Sequence, residues 1–131
     1  MNDLTTSLAA SASGMEAQAT RLRHVSENIA NADTPGYRRK VISFGEVMES
    51  GQIGTGRVEA GKVRLDPREL PEIYSPGHPM ANEAGYYTGS NVDLMIEIAD
   101  AREAQRSYDA NVRLFDQARQ MMQGLFELLR R

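Results

Sequence analysis

The chain has no cysteine and no tryptophan, and only three phenylalanines and five tyrosines among its 131 residues. Without cysteine there is no disulfide scaffold and no thiolate metal site, and either redox compartment stays open. So few aromatics argue against a large compact core. No run of about 18 apolar residues exists, which excludes a membrane-spanning helix. The first residues include an acid, Asp3, and lack both a basic n-region and an apolar h-region. No secretory leader is expected there, so work outside the cytoplasm requires export without a cleaved signal peptide. Charge of one sign is absent too. Four acids and two bases precede Tyr37, seven of each lie between Tyr37 and Ser90, and seven acids and six bases follow. That mixing leaves no basic stripe for nucleic acid, and no such partner is expected.

What is present is helical periodicity at both ends. Leu94, Ala101, Tyr108, Phe115, Met122 and Leu129 recur every seventh residue, and Ala104, Ala118 and Leu125 occupy the second seam position of the same heptads. Ile98, Val112 and Phe126 widen the stripe. The pattern predicts an amphipathic helix from Ser90 to Arg131, about 60 Å long at 1.5 Å per residue. Ser90-Asn91-Val92-Asp93 reads as a capping box, with Asp93 placed against the helix dipole. Met1, Leu8, Met15, Leu22 and Ile29 form a second heptad series, with Leu4 and Val25 at its alternate position. This seam is thinner, and Gly14 and the Ser/Ala/Thr-rich start lower its helix propensity. It is expected to fray in isolation and to become helical against a partner. The helix should stop near Asn31, because Asn28, Asn31 and Asp33 suit a C-cap and Thr34-Pro35-Gly36 a turn.

Between Tyr37 and Tyr87 the period shortens. Val41 to Glu46, Val58 and Val63-Arg64-Leu65 alternate like short strands, separated by Gly51, Gly54, Gly56 and Gly61 and followed by Pro67, Pro71, Pro76 and Pro79. This predicts a small hairpin element and not a full sheet. The expected fold is therefore mainly α with a small β insert. Residues 1–36 and 91–131 form a discontinuous helical core whose long terminal helices make a coiled-coil-like pair, and residues 37–90 form a β-rich insert with Pro/Gly turns.

Asn28-Ile29-Ala30-Asn31-Ala32-Asp33-Thr34-Pro35-Gly36-Tyr37 resembles the N-terminal signature of the bacterial flagellar rod, hook and hook-associated axial proteins. Tyr74-Ser75-Pro76-Gly77-His78-Pro79-Met80-Ala81, then Ser90-Asn91-Val92-Asp93, and Ala104 to Val112 resemble the proximal rod subunits of that family. Asn28, Asn31, Pro35, Gly36, Tyr37, Pro76, Gly77, Pro79, Asn91 and Asp93 carry the likeness. The resemblance implies a structural subunit of the basal-body rod, which crosses the periplasm and carries torque to the hook. It implies export unfolded through the flagellar type III apparatus. The implied partners are copies of the chain, other proximal and distal rod subunits, and the adaptor at the export gate and MS ring.

Chemistry-bearing constellations are sparse. His24 and Glu27 lie one turn apart, but no third ligand stands at a suitable spacing, so no metal site is expected. His78, in a Pro-Gly turn within reach of Glu83 or Asp93, reads as a turn or interface residue. Ser75, Ser90 and Ser107 lack a nucleophile-elbow context. Gly54-Thr55-Gly56 lacks the Gly-Lys-Ser/Thr ending of a phosphate loop and reads as hairpin loop. Tyr37-Arg38-Arg39-Lys40, the one basic cluster, is expected to pair with acids of a neighbouring subunit or to be solvated. No catalytic residue and no cofactor site is expected, and the chain does not read as an enzyme.

The seam residues Leu8, Met15, Leu22, Ile29, Leu94, Ile98, Ala101, Tyr108, Val112, Phe115, Met122, Leu125 and Leu129 are the candidate assembly surface. A two-helix pair leaves flanks such as Ile98, Val112, Met121 and Phe126 uncovered, and neighbouring subunits would bury them. A coiled-coil adaptor or export chaperone acting as a discrete soluble dimer could use the same heptads, but it has no need of the Asn28–Tyr37 tract or the insert. Gln18, Gln105 and Asn111 are polar seam residues expected to set register at a cost in stability. Asn111→Leu is accordingly expected to produce misregistered assemblies, which electron microscopy of the assembled material would reveal; unchanged assembly would refute the register role.

Overall fold

A computed structural model describes residues 2–48 and 54–131. Two helices dominate it. Helix α1 runs Asn2–Ala30 (29 residues) and α2 runs Leu94–Arg130 (37 residues). They lie antiparallel: Asn28 stands against Glu97, Arg21 against Asp100 and Glu103, and Gly14 against Asn111. The partner that α1 finds is thus α2 of its own chain.

Helix α2 starts three residues later than a capping box with Ser90 as N-cap requires. Asp93 is itself the N-cap, with φ −106° and ψ 112°, and its carboxylate accepts the Met95 N–H at 3.0 Å. Ser90 caps nothing; its hydroxyl donates to the Ala32 carbonyl and ties the two helix ends together. Helix α1 ends as the sequence predicts. The Asn31 side chain donates to the Glu27 carbonyl at 2.8 Å, and Tyr37 N–H donates to Thr34 O across a turn whose Gly36 has φ +74°. Proline second and a positive-φ glycine third make this a type II turn, and a Cβ there would be strained.

The described residues between the helices form three two-stranded antiparallel pairs. β1 (Lys40–Val41) pairs with β4 (Arg64–Leu65), and β2 (Phe44–Glu46) pairs with β3 (Val58–Ala60). They form one interrupted ribbon, bridged by Gly61 N–H to Ser43 O at 2.7 Å and extended by Val47 N–H to Arg57 O at 2.9 Å. Gly51, expected in the hairpin loop, lies outside the described residues. The ribbon folds back along α1. The outward N–H of Val58 donates to Ser13 Oγ at 3.0 Å, so a helix hydroxyl occupies a sheet-edge donor that would otherwise be open. The third pair, β5 (Glu72–Tyr74) with β6 (Tyr86–Thr88), flanks the Pro-Gly turn that holds His78 and falls within the β-rich insert expected at residues 37–90. It sits at the junction end, where Gly36 N–H donates to Thr88 O and Gly89 N–H to Pro71 O.

The core is thin and made of small side chains. Among the described residues Ala17, Val25, Ala104 and Ala118 are the buried apolar ones, and Ser11 is buried too. A Cβ on Gly14 would come within 2.8 Å of the Asn111 amide, so glycine permits the close helix approach. Replacing Gly14 by leucine is expected to destabilise the chain by about 1–3 kcal/mol through overpacking. Urea unfolding followed by circular dichroism would measure this, and Asn111→Ala in the same chain should recover part of the loss.

Candidate assembly interface

The site is built from a polar junction that fixes the helices and an apolar surface that the junction leaves exposed. At the junction Glu97 is fully buried and Asn28 is 1% exposed. Asn28 uses its whole amide. Its Oδ1 accepts from the Tyr37 hydroxyl and from Lys40 N–H, both at 2.9 Å; its Nδ2 donates to Lys40 O at 2.9 Å and to Glu97 Oε2 at 3.3 Å. The other Glu97 oxygen accepts from Arg39 Nε. Arg39 Nη2 reaches Asp100 at 2.8 Å, its Nη1 lies 3.8 Å from Asp66, and its N–H donates to Asn91 Oδ1 at 2.6 Å. A buried carboxylate is tolerable only when paired and hydrogen-bonded, and both conditions hold here.

The charges around this centre are also internal. Arg68 forks onto Asp66 at 2.7–3.1 Å, which holds the Asp66 carboxyl below its ordinary range. Lys40 reaches Glu27 at 2.7 Å and lowers its pKa, while its own is raised by the same contact. Arg38 donates to the carbonyls of Asp66 and Arg68 at 3.1 and 3.0 Å, and Asn91 Nδ2 joins it on Asp66 O at 3.1 Å. The basic cluster that the sequence offered to a neighbouring subunit or to solvent is therefore spent within its own chain. Burial of the Tyr37 phenol raises its pKa, in keeping with its role as a donor to Asn28.

Sequence reasoning missed Glu97 and the part Arg39 plays. A signal existed: Glu97 stands three residues after Leu94, at the same seam position as Ala104 and Ala118. An acid on a buried row demands a base, and the chain has one cluster of them. The histidines are ordinary by comparison. His24 is buried with Nδ1 3.6 Å from Glu27, which Lys40 already engages. His78 stacks on Tyr87 with centroids 3.9 Å apart and accepts the Met80 N–H, where the sequence had suggested Glu83 or Asp93 as neighbours. Pro76, Gly77 and Pro79 belong to that same turn between β5 and β6.

The predicted seam residues divide. Leu8, Met15, Leu22, Ala101, Tyr108, Val112, Phe115 and Met122 are half-buried along the helix pair. Ile29, Leu94, Ile98, Leu125 and Leu129 are exposed, as are Leu114, Met121, Phe126 and Leu128. The row closest to α1 is Glu97, Ala104, Asn111 and Ala118, small or polar throughout. The bulky heptad series flanks that contact, and this is what leaves apolar surface for another molecule. Both ends of α2 carry strongly exposed apolar side chains: Met95 is 76% exposed at its start, and Leu128 67% and Leu129 76% at its end. No described residue of α1 lies beside Leu128 or Leu129.

A long antiparallel helix pair with a small β insert returning to the helix junction defines an axial, filament-type subunit. Residues 8–38 match the family described as "Flagella basal body rod protein", and residues 83–128 match "Flagellar basal body rod FlgEFG protein C-terminal". The chain is 42% identical to the flagellar basal-body rod protein FlgC of Agrobacterium fabrum, over 99% of this chain and 98% of that one. It is 33% identical to FlgC of Bacillus subtilis (93% and 95% covered) and 34% identical to FlgC of Salmonella typhimurium (84% and 86%). The chain belongs to the FlgC family of flagellar basal-body rod proteins. It is a structural rod subunit of the flagellar basal body, and among its described residues no helix is long and apolar enough to cross a membrane.

Removing one partner of the buried pair should cost far more than removing both. Arg39→Ala is expected to destabilise by about 3–5 kcal/mol, whereas Arg39→Met with Glu97→Leu should approach the parent chain; denaturant midpoints of the three chains decide it. The acid limb follows from Asp66 and Glu27. Their folded pKa values lie below the unfolded ones, so their contribution is complete at neutral pH and is lost as pH falls through the depressed values. Asp66→Asn should flatten the fall of the urea midpoint between neutral and acid pH.

Proposed function

We propose that the chain polymerises through its terminal helices into the proximal part of the rod, the periplasm-crossing shaft that transmits torque to the hook. Residues 1–36 and 91–131 act as the helical assembly core, and residues 37–90 as the small β-rich insert between them. The chain has no catalytic role, and its partners are copies of itself, other proximal and distal rod subunits, and the adaptor at the export gate and MS ring. It is threaded unfolded through the type III apparatus. A thin seam of alanines, serine and glycine suits such threading, because little core has to be rebuilt afterwards.

The observation that carries this reading is the exposure of Leu125, Phe126, Leu128 and Leu129 on the last turns of α2. Burying a leucine or phenylalanine side chain is worth about 1.5–3 kcal/mol, so several such side chains per subunit make the assembled state much more stable than the monomer. Leu128→Glu with Leu129→Glu should leave monomer helicity unchanged and abolish both basal-body assembly and swimming in a complemented deletion strain. Retained rods in that strain, or a parent chain that sediments as a discrete closed dimer, would overturn the reading in favour of an adaptor.

A further inference from the structure

The contacts that hold the helix pair are of two kinds. Along the seam they are interchangeable. Glu97, Ala104, Asn111 and Ala118 follow one another at seven-residue steps on the face of α2 nearest α1. Gly14 stands against Asn111, and a Cβ there would meet its amide at 2.8 Å. Alanine is smaller than asparagine, so a slip of one heptad in either direction brings Ala104 or Ala118 against Gly14 without a clash. The Asn111 amide donates to the Ser107 carbonyl of its own helix at 2.9 Å, a bond indifferent to where α1 lies. Small side chains at a heptad repeat fit several registers, and a buried polar or charged member singles one out.

At the junction the contacts are not interchangeable. The loop from Glu27 to Lys40 is built from bonds within itself. Asn31 Nδ2 donates to Glu27 O, Thr34 N–H to Asn31 O, and Tyr37 N–H to Thr34 O. Asn28 takes the Tyr37 hydroxyl and both backbone groups of Lys40. None of these bonds needs α2, and a loop this short closes at little entropic cost. It leaves Asn28 Nδ2 and the Arg39 guanidinium free to take Glu97. The same loop holds the lead-in to α2: Gly36 N–H donates to Thr88 O at 3.1 Å, Ser90 Oγ to Ala32 O, and Arg39 N–H to Asn91 Oδ1 at 2.6 Å. A slip of one heptad puts Ala104 or Ser90 where Glu97 stands and takes that carboxylate from Arg39.

We infer that the Glu27–Lys40 loop is a preformed socket for Glu97, and that this socket, not the seam, selects the register of the helix pair. The register fixes where the exposed end of α2 lies relative to the β insert, since a slip of seven residues displaces it by about 10 Å. The importance of that placement rests on the rod-subunit reading; the selection of register does not.

The absence of native cysteine makes the register measurable in the full-length chain. Nitroxides on Ala9→Cys and Arg102→Cys, both exposed positions of the helices, report it by double electron–electron resonance in dilute solution. The parent chain should give one distance. Arg39→Met, Glu97→Leu and Asn91→Ala together remove the socket's polar grip without leaving a buried charge. They should preserve the helical circular dichroism and add a second population whose distance is shifted by about 10 Å, one heptad of helix rise. Asn111→Ala, a change on the seam, should keep the single distance. A folded triple variant showing the parent distance alone overturns the inference, as does a second population in Asn111→Ala. Tyr37→Phe, which removes one hydroxyl from the loop, tests preformation whether or not the triple variant folds. It should slow refolding and leave the unfolding rate unchanged, and the reverse pattern overturns the socket. These measurements are made on the isolated chain and stand apart from rod assembly, which Leu128→Glu with Leu129→Glu tests.

Discussion

The Glu97 carboxylate is the constraint on which the arrangement depends. It sits on the row of α2 nearest to α1, without exposure to water, and ionised groups do not stay there unpaired. Its two oxygens are satisfied from two other segments, Asn28 at the end of α1 and Arg39 at the start of the β ribbon. Helix pairing and ribbon docking are thereby made one event. If the ribbon were displaced, the helices would hold an unpaired charge; if the helices parted, Arg39 would lose its place among three carboxylates. Asn28 reinforces the coupling because its amide bonds cross to Tyr37, to the Lys40 backbone and to Glu97.

Away from that point the helix contact is set by smallness. Gly14, Ser11, Ala17, Ala104 and Ala118 let the backbones approach, and the larger residues are displaced to the flanks. A pair of helices made this way gains little from burial within one chain and retains much to gain from burial between chains. The β insert does not close the deficit. Its strands are two or three residues long, and it covers one side of α1 while α2 remains largely open. Such a distribution suits a component completed by neighbours, and a rod subunit of the basal body is that kind of component.

The helices, the point where α1 stops, the short-stranded middle and the family are legible in the order of residues alone. These are local properties: heptad spacing, the Asn31 cap, the Pro35-Gly36 turn and the density of glycine and proline all act within a few residues. Tertiary structure alone decided which heptad row faces inward, because that depends on the size of the residues opposite, and Gly14 beside Asn111 is a pairing 97 positions apart in sequence. It decided that Asp93 and not Ser90 caps α2, since the Ser90 hydroxyl is drawn to Ala32 at the end of the other helix. It decided too that Arg38, Arg39 and Lys40 serve their own chain, for their acids and carbonyls are supplied by α1, α2 and the Asp66–Arg68 turn. Periodicity reports that a helix has an apolar side; only the partner's shape and charge report how that side is turned.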